Sequence, residues 1–279
     1  MIFRQKIEVL PPEMLSYWFR SPLVTMSFAL HAGALVNIVA RPETWPWALG
    51  IIAANHALLT AVGLWPRSSL LGPNWVRLPA AAAERGEIAI TIDDGPDPEV
   101  TPRVLDILDA HGAKASFFCI GRRALQYPDL CREIVKRGHA VENHGQHHFL
   151  LFAMLGPWRM REEVQAAQDT FSEIIGVTPR FFRATAGLRN PFLDPILAGL
   201  DLNLASWTRR AFDSHNGSAD SVVARLLNGL GGGDILLLHD GYAARTAAGE
   251  AVILEALPRV LEAVKSAGLH PVTLRSTLT

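Results

Sequence analysis

Residues 22–40 read PLVTMSFALHAGALVNIVA and residues 45–65 read WPWALGIIAANHALLTAVGLW; neither run contains Asp, Glu, Lys or Arg, and only Arg41-Pro42-Glu43-Thr44 separates them. A helix needs ~20 apolar residues to cross ~30 Å of hydrocarbon. The pair therefore confines this part of the chain to a helical hairpin that spans a bilayer or hides in a core or dimer interface. Trp45, Trp47 and Trp65 suit the two membrane interfaces. Small residues such as Gly33, Gly50 and Ala54 allow close helix contact, and His31, Asn37, Asn55 and His56 can bond across it. A cleaved signal peptide fits poorly, because the first run starts late and a second follows at once. We therefore expect transmembrane helices at 22–40 and 45–65 after an N-terminal segment 1–21. Arg4, Lys6 and Arg20 precede the hairpin, only Arg41 lies in its turn, and Arg67 and Arg77 follow. This charge bias predicts a two-pass protein of the inner (cytoplasmic) membrane with its C-terminal domain on the cytoplasmic face.

Residues 66–85 contain Gly72-Pro73 and Leu78-Pro79-Ala80 and read as a juxtamembrane linker. From 86 to 279 short β-type runs alternate with amphipathic helical stretches, the pattern of a largely parallel α/β sheet. Strands are expected at Ile88–Ile92, Lys114–Ile120, His139–Glu142, Phe181–Phe182, Leu202–Trp207, Asp234–His239 and Pro271–Leu274. Helices are expected after a Thr101 cap and at Asp129–Arg137, Trp158–Ile175 and Glu250–Ala267. A net charge of -1 with scattered basic residues provides no field for phosphate backbones, so nucleic acid is not an expected partner. The two cysteines, Cys119 and Cys131, read as buried filler.

Reactive residues of parallel sheets gather where strands end. Asp93 and Asp94 follow the first expected strand, His144 and His148 the third, Arg183 the fourth, Asp213 the Trp207 strand, and His239 ends the Asp234 strand. Adjacent carboxylates and imidazoles four apart are donors that hold Zn²⁺ with a position left open for water. A nearby base and a second acid then make amide hydrolysis feasible. An Asp-Asp-Gly run alone is an ordinary turn; its weight comes from the ordered recurrence of such residues after strands. His147 is an alternative ligand to His148. His111, His139 and His215 read as solvent or loop histidines.

The run Thr91-Ile92-Asp93-Asp94-Gly95-Pro96-Asp97 resembles the first motif of the polysaccharide deacetylases, the chitooligosaccharide-deacetylase-like carbohydrate esterases of family 4. His144 to His148 resembles their H-x-x-x-H motif, Phe182-Arg183 their third, Trp207 to Asp213 their fourth, and Leu236 to His239 their fifth. The resemblance covers roughly residues 86–279. It implies a distorted (β/α) barrel in which Asp94, His144 and His148 bind a divalent metal, zinc first, with cobalt or nickel as alternatives. It further implies Asp93 as general base oriented by Arg183, and His239 as general acid held by Asp213. A backbone N–H near Ala186 would stabilise the oxyanion, with Trp207 and Leu237 also assigned to substrate binding. Ala184-Thr185-Ala186 stands where the family continues with prolines and a tyrosine, and Arg210 and Ser214 replace an aspartate and a tryptophan. Together these expectations describe a membrane-attached enzyme that removes an N-acyl group, acetyl in kind, from an amino sugar, with a lipid-linked saccharide or glycolipid as substrate. O-deacetylation, deformylation and silent glycan or lipid binding are the alternatives.

Overall fold

The computed structural model describes residues 17–278, so Arg4, Lys6 and most of the expected segment 1–21 lie outside the described residues. Eight strands form one sheet: β1 Glu87–Asp93, β2 Ala115–Cys119, β3 Ala140–Asn143, β4 Phe181–Phe182, β5 Asn203–Leu204, β6 Arg209–Arg210, β7 Ile235–His239 and β8 His270–Val272. The order is β5-β4-β3-β2-β1-β7-β6, all pairs being parallel, with β8 beside the first residues of β1. This is an α/β distorted half-barrel.

Strand periodicity explains how the barrel is filled and where its chemistry points. Ile88, Ile90 and Ile92 join Phe117, Leu236 and Leu238 in the layer packed under the helices. Ala89 shares the inner layer with Phe118, Phe181, Ile235 and Leu237. Side chains alternate along a strand, so Thr91 and Asp93 continue the inner face of β1 and His239 that of β7. The strands are buried on both sides, as parallel sheets covered by helices require.

The run 66–85, read from its Gly and Pro as a linker, is built into the barrel. The Trp75 N–H donates to Leu204 (2.8 Å) and its carbonyl accepts from Ser206 (2.9 Å), while the Leu78 N–H donates to Gly233 (2.9 Å). Thr208 Oγ1 donates to the Val76 carbonyl (2.8 Å) and Arg77 pairs with buried Asp234 (2.8 Å). The segment thus covers the seam between β5 and the β6–β7 side, satisfying backbone groups that an open edge would leave free.

Other elements depart from expectation in small ways. The Leu202–Trp207 strand shrinks to two residues because Ala205 and Ser206 pair with Phe182 and Trp75 instead of extending a ladder. Thr101 does not cap its helix, Thr101–Ala110; Asp97 Oδ1 accepts from Glu99 and Val100 (3.0 Å each), and the Thr101 hydroxyl serves buried Asp240 (2.5 Å). Helices at Gly121–Gln126, Leu193–Gly199 and Ala219–Leu227 were not anticipated. Cys119 and Cys131 are free and buried, as expected. His139 is not a solvent histidine: it is 5% exposed and accepts from the Ala115 N–H (3.2 Å).

The two apolar runs form helices Pro22–Ala40 and Trp45–Gly63, both long and apolar enough to cross a membrane by length and composition. They are not a hidden core: 11% and 22% of their apolar windows are buried. The His31 and His56 Nε2 atoms lie 3.3 Å apart across the pair as expected, while Asn55 Nδ2 donates to Ser27 Oγ (2.7 Å), a partner the sequence did not suggest, and Asn37 instead accepts from Thr44 in the connecting turn. The hairpin is anchored at its end, where the Arg189 N–H donates to the Gly63 carbonyl (3.1 Å). A Cβ on Gly63 would lie 2.2 Å from the Arg189 carbonyl oxygen, a backbone atom that cannot swing away. Gly63→Ala is therefore expected to cost about 1–3 kcal/mol as an overpacked contact, read as a lowered melting temperature of the detergent-solubilised protein. An unchanged melting curve would mean the hairpin moves aside freely.

Candidate active site

β1 delivers Asp93 and Asp94 to the carboxyl end of the barrel, where the chain turns sharply: Asp94 has φ +75°. His144 follows β3, and His148 (φ +57°) ends the same loop. Left-handed backbone at non-glycine residues is strained, and such strain persists where surrounding structure enforces it, often at functional sites. The Asp94 Oδ1 lies 3.3 Å from His144 Nε2 and 3.1 Å from His148 Nε2. His144 Nδ1 contacts the Arg183 carbonyl (2.7 Å), so Nδ1 carries the proton and a lone pair is left on Nε2 in the neutral ring. Among the described residues Asp94 Oδ1 itself is buried without a hydrogen-bond partner. Three ligand atoms from these residues converge within 4.8 Å, and the donor set suits a divalent cation. His147, the alternative ligand, is turned away: its Nδ1 meets Glu163 (2.8 Å).

The electrostatics match this convergence. Burial works against ionised Asp94, but the close approach and charge of His144, with His148 and His239 adding, hold it down at about 2. Burial and the neighbouring His144 keep His148 neutral, down to about 4. His144 is opposed by burial yet raised by Asp93 and Asp94.

Asp93 stands beside the triad, its Oδ2 3.8 Å from His144 Nε2. Arg183 is 1% exposed and donates from Nη1 to Asp93 Oδ1 (2.6 Å) and Thr91 Oγ1 (2.8 Å), and from Nη2 to the Ser206 carbonyl (2.8 Å). The Phe118 ring lies under its guanidinium at 4.1 Å. Across the cleft His239 contacts Asp213 twice, Nδ1 to Oδ1 (2.8 Å) and N–H to Oδ2 (2.7 Å). Burial disfavours the imidazolium, but Asp213, then Asp93 and Asp94, raise His239 to about 9.

The cleft has a volume of about 510 Å³. Ala186, in left-handed backbone at φ +55°, Trp207 and Leu237 all line it, as does His215, an exposed loop histidine as expected. Just after the Ala184-Thr185-Ala186 run, Gly187 packs so closely that a Cβ would lie 2.6 Å from the Trp207 ring and 2.7 Å from Pro66. Arg210 stacks over Trp207 (5.3 Å) and Phe212 (4.9 Å) at the rim. Two supports escaped the sequence reading. Glu163 accepts from the His147 N–H (2.5 Å) and so fixes the loop carrying His148. Asp240, pushed by burial up to about 7 in spite of bonds from Thr101 and Gly241, packs its carboxylate behind Gly95. Its only sequence signal was position, one residue after His239.

The family described as polysaccharide deacetylase matches residues 80–204, which include Asp93, Asp94, His144, His148 and Arg183. A peptidoglycan-N-acetylglucosamine deacetylase of Bacillus cereus is 34% identical over 193 residues, covering 68% of this chain and 87% of the relative. A chitooligosaccharide deacetylase of Azorhizobium caulinodans is 34% identical over 191 residues, covering 66% and 90%. The structure of a family 4 carbohydrate esterase from Streptomyces lividans in complex with acetate superposes with a TM-score of 0.61 at 31% identity, covering 67% of this chain and 91% of that one.

Proposed function

The chain belongs to the polysaccharide deacetylase family, and from that premise we propose that it removes the N-acetyl group of an amino sugar carried on a membrane lipid. Enzymes of this family are metal-dependent hydrolases of C–N bonds, and this chain keeps the Asp-His-His triad. The observation that supports the reading most is the flanking of that triad by two oriented pairs, Asp93 with Arg183 and His239 with Asp213. Binding alone would need neither.

Asp94, His144 and His148 would hold a divalent cation, which when bound would supply charge to polarise the acyl carbonyl and acidify water. Asp93, oriented by Arg183, takes the proton from the attacking water as its oxygen bonds to the acyl carbon. The backbone N–H near Ala186 meets the carbonyl oxygen where negative charge develops. His239, held as imidazolium by Asp213, gives its proton to the amide nitrogen as the C–N bond breaks, leaving acetate and a free amine. Trp207 and Leu237 bound the space for the acyl group and sugar.

The acid role has a pH signature. A group raised by its partner is protonated below its pKa, so activity is expected to fall as pH rises through the His239 transition. With a cation held on Asp94, His144 and His148, that transition would lie below about 9. Asp213→Asn removes the charge that raises His239 and should shift the alkaline limb of kcat down by about one unit or more. An unmoved limb would assign it to another group.

The membrane part of the proposal rests on the hairpin and on the loop beside it. Leu150 is 80%, Leu151 67% and Met154 78% exposed, and Leu150 also lines the cleft, so the mouth of the site has an apolar lip next to the membrane-length helices. Arg20 and Arg67 flank the hairpin against Arg41 in its turn, favouring the cytoplasmic face for the barrel. The test is acetate release by the full chain in lipid bilayers from N-acetylglucosamine presented as a lipid-linked phosphate or as soluble chitotetraose. Preference for the lipid-linked form supports the proposal; equal turnover removes its lipid half, and faster release from O-acetyl or N-formyl analogues would change the bond assigned.

A further inference from the structure

A cavity of about 780 Å³ lies between the hairpin and the barrel, outside the catalytic cleft. Val24, Phe28 and Leu59 line it from the hairpin, and Met154 and Phe192 from the barrel, so its walls are mainly apolar. Its exceptions are informative. Arg189 lines it at 3% exposure, and among the described residues the Arg189 Nε and Nη1 are buried without a hydrogen-bond partner. Trp18 lines the same cavity with its Nε1 equally unpartnered. All three are donors. Buried polar groups are nearly always paired, and an unpaired buried guanidinium is among the costliest exceptions. Nη2 alone is satisfied, by the Ser68 carbonyl. Burial lowers Arg189 to about 10 although the Asp194 charge works the other way, and Asp194 makes no hydrogen bond to it among the described residues.

Donors without acceptors in an apolar cavity call for a ligand with an anionic, acceptor-rich group on a hydrocarbon body. The cavity also shares its partition with the active site. Leu150 faces the cleft while Ala153 and Met154, a few residues on, face the cavity. Ala184, Thr185, Ala186 and Gly187 line the cleft, and the chain from Arg189 to Phe192 lines the cavity. One ridge of two loops therefore separates a sugar at Asp93 from a chain lying against the hairpin.

We infer that this cavity is the carrier subsite of the enzyme: it seats the hydrocarbon chain of a lipid-linked substrate and holds that substrate's phosphate on Arg189 and Trp18. This rests on the deacetylase reading above for the identity of the substrate, while the site itself stands on the cavity and its donors. The committed occupant is a long-chain phosphate ester.

The test uses the full chain in detergent micelles, with native mass spectrometry and competition assays. Hexadecyl phosphate is expected to bind one per chain at least tenfold more tightly than hexadecanol or inorganic phosphate. Arg189→Gln should abolish that tenfold preference, and Thr60→Trp, which fills the cavity from an exposed hairpin position, should weaken both hexadecyl probes. With hexadecyl-phospho-N-acetylglucosamine and soluble N-acetylchitotetraose as substrates, either variant should lower the ratio of their kcat/KM values at least tenfold. Thr60→Trp keeps the question open to test if Arg189→Gln does not fold. Equal binding of the phosphate and the alcohol would overturn the inference. So would hexadecyl phosphate that binds without competing with the lipid-linked sugar, since the occupant would then be a resident lipid. Arg189-dependent binding with no acetate released from either sugar by metal-loaded protein would instead overturn the activity and leave the lipid site standing.

Discussion

Asp93→Asn is expected to lower kcat/KM by about 10³-fold while leaving the metal content of the chain unchanged. Among the described residues Asp93 is the carboxylate lining the cleft that does not belong to the triad, and an amide of nearly the same shape cannot take a proton from water. Its Oδ1 is engaged by Arg183 at 2.6 Å, which leaves Oδ2 directed toward the metal side, 3.8 Å from His144 Nε2. Metal should be retained because Asp94, His144 and His148 are untouched. The variant also leaves Arg183, 1% exposed, without its counter-charge. Breaking a buried pair in this way costs about 3–5 kcal/mol, so the melting temperature should fall as well, and rates must be taken well below it. Elemental analysis beside the rate measurement separates the two effects. Activity within tenfold of wild type would move the base to another group, with water delivered from elsewhere in the cleft.

The residues at stake in that experiment were legible because strand periodicity and strand ends are local properties. The inner face of β1 reads Ala89, Thr91, Asp93 by alternation alone, and β7 places His239 on the inner face by the same count. The short β4 was visible as two phenylalanines, whereas β6 was not, since Arg209 and Arg210 carry no apolar alternation and pair with β7 only. The role of 66–85 was hidden for a different reason. Its glycines and prolines describe local turns correctly, but its partners Leu204, Ser206 and Gly233 lie far along the chain, and the bonds are isolated bridges without a ladder pattern. Glu163 reads as one of several acids on an amphipathic helix, Pro157–Ile175, until the fold turns it onto His147. Buried polar partners of this kind are fixed by tertiary placement. Sequence spacing does not report it.

The largest effect should come from His144→Ala combined with His148→Ala, which removes two of the three converging ligand atoms. Wild-type protein is expected to hold about one divalent metal per chain after purification with zinc, cobalt or nickel present, and the double variant essentially none. Loss of even an outer partner of a ligand costs about 10–100-fold in metal affinity; loss of two ligands leaves only Asp94 Oδ1, too little to compete with water. Hydrolysis should fall below detection, further than for Asp93→Asn, because the base then has no acidified water to deprotonate. Folding should survive. The variant forfeits the His144 contact to the Arg183 carbonyl (2.7 Å), about 1 kcal/mol as an ordinary hydrogen bond, and it removes the imidazoles that favour ionised Asp94, so that carboxyl takes up a proton more readily. The discriminating measurement is the metal dependence of melting, since a ligand bound only to the native state raises stability with its concentration. Wild type should show a rise with added metal that chelation reverses, and the double variant none. Metal retained by the variant would place the ion elsewhere, with His147 and Glu163 the nearest alternative pair. Wild type that neither holds metal nor responds to it would make the Asp-His-His cluster vestigial, and the chain would then be a binding protein whose remaining ligand site is the apolar cavity beside the hairpin.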